Sequence, residues 1–167
     1  MSPFNAFLFL QGLETLSLRM ERHVSNALSI ASFLDEHSLA SHVTYPGLPS
    51  SPYRPLVDKY LPRGAGSVFS FDCAGGRAGG QDLIRGVTLW SHLANVGDAK
   101  SLIIHPASTT HRQLSDDELR AAGVGPGTVR LSVGTESVED LIWDLEQGFA
   151  LVAATAGQTA AQRTATA

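Results

Sequence analysis

Cysteine and lysine are nearly missing from this chain, and each shortage excludes something. The single cysteine, Cys73, cannot form an internal disulfide framework and fits a reducing, cytoplasmic setting. Lys59 and Lys100 are the only two lysines, so few amines stand ready for Schiff-base chemistry. Basic residues are also in the minority: 12 Lys and Arg against 16 Asp and Glu leave a formal net charge of −4. That balance gives no electrostatic case for nucleic acid or an anionic membrane surface as a partner. Long hydrophobic runs are lacking too. The apolar stretch at residues 6–10 stops at Gln11, far short of the roughly 20 residues of a membrane span. No basic segment followed by an apolar one marks a secretory leader.

Familiar catalytic signatures are equally scarce. No G-x-S-x-G elbow is present, and the glycines at 75, 76, 79 and 80 lack the Lys and Ser/Thr of a phosphate-binding loop. Cys73 follows an apolar strand pattern, where a buried structural thiol is the ordinary reading. His105 and His111 fit neither a helical pair nor a zinc spacing, and no further ligand joins them, so no metal site is expected.

What is there describes one domain. A chain of 167 residues with 43% hydrophobic and 17% charged residues can bury one proper core. Ser2 and Pro3 suit an N-cap and a first helical position. One helix is expected from there to about Glu36, roughly 50 Å at about 1.5 Å per residue. Its first half is apolar all round (Phe4, Phe7, Leu8, Phe9, Leu10, Leu13, Leu16), as in helices that meet a second domain or subunit. In its second half Val24, Ala27, Leu28, Ala31 and Leu34 share one face, with Asn26 opposite. Strands are expected at 42–45, 67–71, 87–90, 101–105 and 128–133, with short helices near 56–60 and 81–85. Ser115-Asp116-Asp117-Glu118 reads as a capping box for a helix ending at Gly123. Ser137 opens a last helix with Val138, Leu141, Ile142, Leu145 and Phe149 on one face. Strands separated by helices and long loops, without strict βαβ repeats, give an α+β class with a small, mostly antiparallel sheet. Residues 1–150 form the expected domain, and 151–167 an Ala/Thr/Gln-rich, low-complexity tail expected to be disordered.

Among residues able to carry chemistry, Arg130 stands out. Side chains alternate along 128–133, so Thr128, Arg130 and Ser132 oppose Val129, Leu131 and Val133. A guanidinium held on a rigid strand can grip a carboxylate through two parallel hydrogen bonds. From spacing alone, pairing with a neighbouring Asp or Glu is the commoner fate of such an arginine. Ser108-Thr109-Thr110-His111 gathers hydroxyls and an imidazole in one loop. There the hydroxyls satisfy backbone groups, and one or two, Thr109 or Thr110, line a pocket rim.

Several motifs agree in order with a known family. Ser2-Pro3-Phe4-Asn5-Ala6-Phe7, Gln11-Gly12-Leu13-Glu14-Thr15-Leu16, Gly97-Asp98-Ala99-Lys100-Ser101-Leu102, Pro106-Ala107-Ser108-Thr109-Thr110-His111 and Arg130-Leu131-Ser132-Val133-Gly134 span the chain from Ser2 to Phe149. Together they resemble the C-terminal domain of the Cys/Met-metabolism family of pyridoxal-phosphate (PLP) enzymes. The P-A-S-T-T-H loop and Glu14 resemble the O-acetylhomoserine sulfhydrylase branch; the cystathionine synthase and lyase branches more often carry methionine in that loop and arginine at Glu14. The resemblance implies a γ-replacement transferase of methionine biosynthesis, in which sulfide displaces acetate from O-acetylhomoserine to give homocysteine. It implies that Arg130 binds the substrate α-carboxylate and that Ser101 lies beside it. It also implies that the cofactor domain, with the Schiff-base lysine, precedes the region matched here. Lys59 reads as a solvated charge, and Lys100 holds a position the family does not use for the cofactor. The chain alone is therefore expected to hold no catalytic residue, to bind no PLP and to be inactive. A small amino-acid substrate, the preceding cofactor domain and further copies of the chain are its expected partners. A non-catalytic interaction fragment and a cystathionine synthase or lyase remain the alternatives.

Overall fold

Every side chain of the first helix, α1 (Pro3–Glu14), is left at least partly exposed, which makes it the least supported element of the molecule. The Ser2 hydroxyl accepts the Asn5 N–H and caps it, with Pro3 in the first turn. The computed structural model describes residues 1–165. The single helix expected from 3 to 36 is interrupted at Thr15 (φ −107°, ψ 7°), and α2 (Leu16–Glu36) follows. The Arg19 guanidinium reaches back to Thr15 Oγ1 and to the Gly12 carbonyl (2.9 Å), satisfying one of the orphan acceptors at the end of α1. The buried stripe of α2 is His23, Asn26, Ala27, Ile30, Ala31 and Leu34. Leu28, expected inside, is exposed, and Asn26, expected outside, is buried, because its amide finds backbone acceptors across the core.

The remaining elements are β1 (Ala40–Ser41), α3 (Arg54–Tyr60), β2 (Val68–Cys73), α4 (Gly76–Gly86), β3 (Ser91–His92), β4 (Leu102–Ile104), α5 (Asp116–Ala121), β5 (Thr128–Ser132) and α6 (Val138–Ala165). A 3-10 turn at Pro106–Ser108 follows β4. The sheet order is β1-β2-β5-β4-β3, antiparallel except for the parallel pair β3–β4. The fold is therefore α+β with a mostly antiparallel sheet. Two strands lie elsewhere than expected. At 42–45 His42 turns the chain with φ +49°, and only Thr44 continues the pairing, through its N–H to the Ser70 carbonyl (2.8 Å). At 87–90 the backbone N–H groups of Thr88, Leu89 and Trp90 are drawn off by Asp144, so the strand begins at Ser91. The glycines expected to flank a helix at 81–85 mostly lie inside α4.

Apolar faces of α2, α4 and α6 cover one side of the sheet. Ile30, Leu34, Leu83, Leu141 and Leu145 pack there against Phe69, Phe71, Ile103, Val129 and Leu131. Cys73 joins this core, and burial, helped by the nearby Asp82, pushes its thiol up to about 12. The capping box of α5 is complete: Ser115 Oγ accepts the Glu118 N–H, and the Glu118 carboxylate accepts the Ser115 N–H. The expected tail is described only in part. From 151 to 165 the chain continues α6, and Val152 is buried against the core. Residues 166 and 167 lie outside the described ones.

Candidate functional site

Strand β5 carries the site. Val129, Leu131 and Val133 are wholly buried on the core side, so Arg130 must lie on the other face. There it is paired in register with Ser70 of β2 and Ile104 of β4. Its guanidinium makes one long hydrogen bond, 3.4 Å to the Asn95 carbonyl, and among the described residues it forms no ion pair. An acid on that face is otherwise engaged. Asp72 takes the Thr128 hydroxyl at 2.5 Å and lies 3.4 Å from His42 Nδ1. The commoner fate, an arginine neutralised by its own chain, does not apply. Most of its five N–H donors have no protein acceptor among the described residues.

Ser101 is tied into its own chain on every side. It is fully buried at the start of β4; its N–H donates to Glu136 Oε1 (2.7 Å) and its hydroxyl to Glu136 Oε2 (2.8 Å). The hydroxyl also accepts the Gly134 N–H (2.8 Å), and the carbonyl accepts the Ser91 N–H (3.0 Å). Each polar group of Ser101 thus has a partner within the chain, and the residue braces the start of β4 against Gly134 and Glu136. The residue that does touch Arg130 is Asn95, whose side chain turns back to accept the Val96 N–H (2.8 Å). The sequence signal for it is slight: Asn95, Gly97 and Asp98 are all residues that favour turns.

The hydroxyl loop satisfies itself. Thr109 donates to the His105 carbonyl (2.8 Å), and Thr110 Oγ1 lies 2.9 Å from His111 Nδ1. Among the described residues no hydrogen bond joins either threonine to Arg130. His105 is buried, with Nδ1 on Ser108 Oγ (2.9 Å) and Nε2 on the Pro126 carbonyl (2.8 Å). Burial holds its pKa below the ordinary imidazole value; the Pro126 bond opposes this, while Arg77 and His92 reinforce it. Among the described residues no group of three or more His, Cys, Asp or Glu converges on a metal position, and no helix is long and apolar enough to cross a membrane.

Two grooves open on a different part of the surface. The larger, about 880 Å³, lies between Leu13, Leu16, Met20 and Val24 on one side and Pro62 and Arg63 on the other. A smaller one of about 320 Å³ adjoins it along α2 and α3. Neither includes Arg130, Ser101, Thr109 or Thr110. The larger is a mainly apolar cleft that reaches the exposed α1 at Leu13, whereas Arg130 lies on the sheet face away from the core, and we place the candidate site there. Neither lysine lines a groove: Lys59, exposed on α3, lies over the Tyr60 ring (4.8 Å), and Lys100 is exposed in its loop.

A family profile described as Cys/Met metabolism PLP-dependent enzyme matches residues 1–150. An O-acetyl-L-homoserine sulfhydrylase from Leptospira meyeri is 52% identical over 149 residues, 89% of this chain and 34% of that protein. A homocysteine synthase from Schizosaccharomyces pombe is 50% identical over 148 residues, again 89% and 34%. The chain therefore spans about a third of the length of the curated relatives it matches. Among solved structures, a Campylobacter jejuni protein assigned as an O-acetylhomoserine (thiol)-lyase, carrying N'-pyridoxyl-lysine-5'-monophosphate, superposes with a TM-score of 0.80. It is 46% identical, over 89% of this chain and 35% of that one. A cystathionine gamma synthase from Xanthomonas oryzae in complex with cystathionine gives 0.81 at 40% identity, over 92% and 40%.

Proposed function

The chain belongs to the Cys/Met metabolism family of PLP-dependent enzymes, and from that premise we propose that it is the substrate-side portion of an O-acetylhomoserine sulfhydrylase. The reaction is γ-replacement: acetate leaves Cγ of O-acetylhomoserine, and sulfide takes its place to give homocysteine, a step of methionine biosynthesis. One observation carries the residue-level reading. Arg130 projects a guanidinium from a rigid central strand, and no acid among the described residues pairs with it. Its planar fork suits two parallel hydrogen bonds to an α-carboxylate, orienting the amino acid by that end. Ser101 supports this grip indirectly, by bracing the strand end and the 95–100 turn.

PLP, bound in the complete enzyme, supplies an electron sink for carbanion chemistry. Lys59 and Lys100 are unsuited to hold it, and no step is assigned to them. We place cofactor binding, and with it turnover, in the remainder of such an enzyme. Soluble metabolism of a small amino acid fits a cytoplasmic setting.

The sulfhydrylase branch is favoured over the cystathionine branch by identities of 50% and 52% against 40% for the cystathionine gamma synthase. A non-catalytic interaction module draws support only from the uncovered α1. Co-expression with the cofactor-binding portion of a sulfhydrylase relative separates the three. Homocysteine from O-acetylhomoserine and sulfide supports the proposal, and cystathionine from cysteine moves the chain to the other branch. A stable assembly with neither product makes it an interaction module.

A further inference from the structure

Glu136 lies just beyond the site and is the most heavily used carboxylate near it. Its two oxygens take the Ser101 N–H (2.7 Å) and the Ser101 O–H (2.8 Å), and the Ser101 oxygen in turn takes the Gly134 N–H (2.8 Å). This closes a ring between the end of β5 and the start of β4. Beside it, Thr135 donates both its N–H (2.9 Å) and its hydroxyl (3.2 Å) to the Ala99 carbonyl. The ring is anchored from the helix side as well. Asn26 donates to the carbonyls of Gly134 (3.1 Å) and Glu136 (2.9 Å), and His23 Nδ1 lies 2.5 Å from the Val133 carbonyl.

Gly134 is what lets the carboxylate approach. A Cβ on that residue would lie 2.4 Å from Glu136 Oε2, and 2.5 Å from both the Ala99 carbonyl and the Ser101 nitrogen. All three neighbours belong to the ring or to the turn it holds, so a side chain there would open the brace. The Gly134-Thr135-Glu136 sequence is therefore one device: a bare Cα, a threonine on Ala99 and a carboxylate on Ser101.

The segment held this way, residues 95–100, supplies the only hydrogen bond of the Arg130 guanidinium among the described residues, to the Asn95 carbonyl. Glu136 also keeps its own charge away from Arg130, because both oxygens are turned toward Ser101. We propose that Glu136 is a positioning residue: its carboxylate holds the 95–100 turn against Arg130 while leaving the guanidinium unneutralised. The function of that arrangement rests on the carboxylate-binding reading of Arg130; the bracing itself does not.

The test uses the isotope-labelled chain as it exists. Two quantities are followed by nuclear magnetic resonance: amide exchange at Ser101, Gly134 and Thr135, and the response of the Arg130 Nε–H signal to L-homoserine. Glu136→Gln keeps the shape but removes one acceptor. It should speed exchange at those amides by about tenfold or more, the scale of losing a charge-assisted hydrogen bond. It should weaken the L-homoserine response similarly, with the β2 amides unchanged. Ser101→Ala, which deletes the hydroxyl linking Glu136 to Gly134, should give the same pattern at Gly134, and it decides the matter if Glu136→Gln fails to fold. Unchanged exchange overturns the proposal, as does faster exchange with an undiminished response at Arg130. A parent chain whose Arg130 ignores L-homoserine overturns the carboxylate reading instead, and exchange alone then judges the brace.

Discussion

Arg130 shows what one side chain's surroundings decide. In an enzyme assembled with its cofactor-binding portion, Arg130→Ala is expected to weaken amino-acid binding by about 2–5 kcal/mol, the range for breaking a desolvated charge pair. Arg130→Lys should restore only part of this, because an ammonium cannot supply the two-pronged geometry. Steady-state kinetics on both variants checks this, and unchanged values for the alanine variant would make the arginine structural. His105 gives a second prediction, on pH. Its folded pKa lies below the ordinary value near 6.5, so the unfolded chain binds the proton more readily. Its contribution is fully present above about pH 6.5 and is lost as pH falls from there toward the depressed folded pKa. Urea midpoints between pH 8 and pH 5 should therefore drop for the parent and drop less for His105→Gln. At this scale the sequence was legible where local alternation ruled. Val129, Leu131 and Val133 inside imply Arg130 outside, as observed. It was opaque where a polar residue is chosen by a distant partner. Asp144 sits between Trp143 and Leu145 like any surface acid, yet it is fully buried because Thr88, Leu89 and Trp90 all donate to it. Asn26 was misread for the same reason, its partners lying 108 and 110 residues away.

Elements were most legible where their start signals are local. The Ser2 cap, the Ser115 capping box and the apolar face of α6 all form as their sequences dictate. Boundaries moved where tertiary contacts compete, as when Asp144 captures the backbone of 88–90 or Arg19 closes α1 at Thr15. The glycines of α4 and α6 carry a packing role that composition alone hides. A Cβ on Gly148 would lie 2.7 Å from Leu83 Cδ1 and 3.0 Å from the Leu83 carbonyl, and one on Gly86 would lie 2.6 Å from the Gly148 Cα. The two helices touch backbone to backbone at this crossing. Gly148→Ala would gain about 1 kcal/mol of helix propensity. Against that stands overpacking in a well-filled core, typically about 1–3 kcal/mol. Because the obstruction includes backbone, the cost should win and the variant should melt lower than the parent. A raised melting temperature in calorimetry would show that the helices can slide apart at little cost.

At the scale of the whole molecule, α1 is unfinished business. Phe4, Phe7, Phe9, Leu10 and Leu13 are each more than half exposed, and no residue of the helix is buried. The sheet and the helices α2, α4 and α6 complete a core without it. The apolar groove against Leu13, Leu16 and Met20 extends the same uncovered surface toward Pro62. Burying one such side chain contributes about 1.5–3 kcal/mol, so two or three of them rival the net stability of a small domain. Contiguous apolar surface of this kind marks an interaction site. The chain spans about a third of its relatives' length, and in a complete enzyme we assign the cover to the cofactor-binding portion or a second subunit. Left by itself, the chain is expected to self-associate through α1 or to exchange that helix between copies. Light scattering across a dilution series should show the mass per particle falling with concentration. The double substitution Phe7→Glu and Leu10→Glu should give monomers at concentrations where the parent is assembled. A parent that stays a compact monomer at micromolar concentration would mean that α1 folds back over the groove and buries itself.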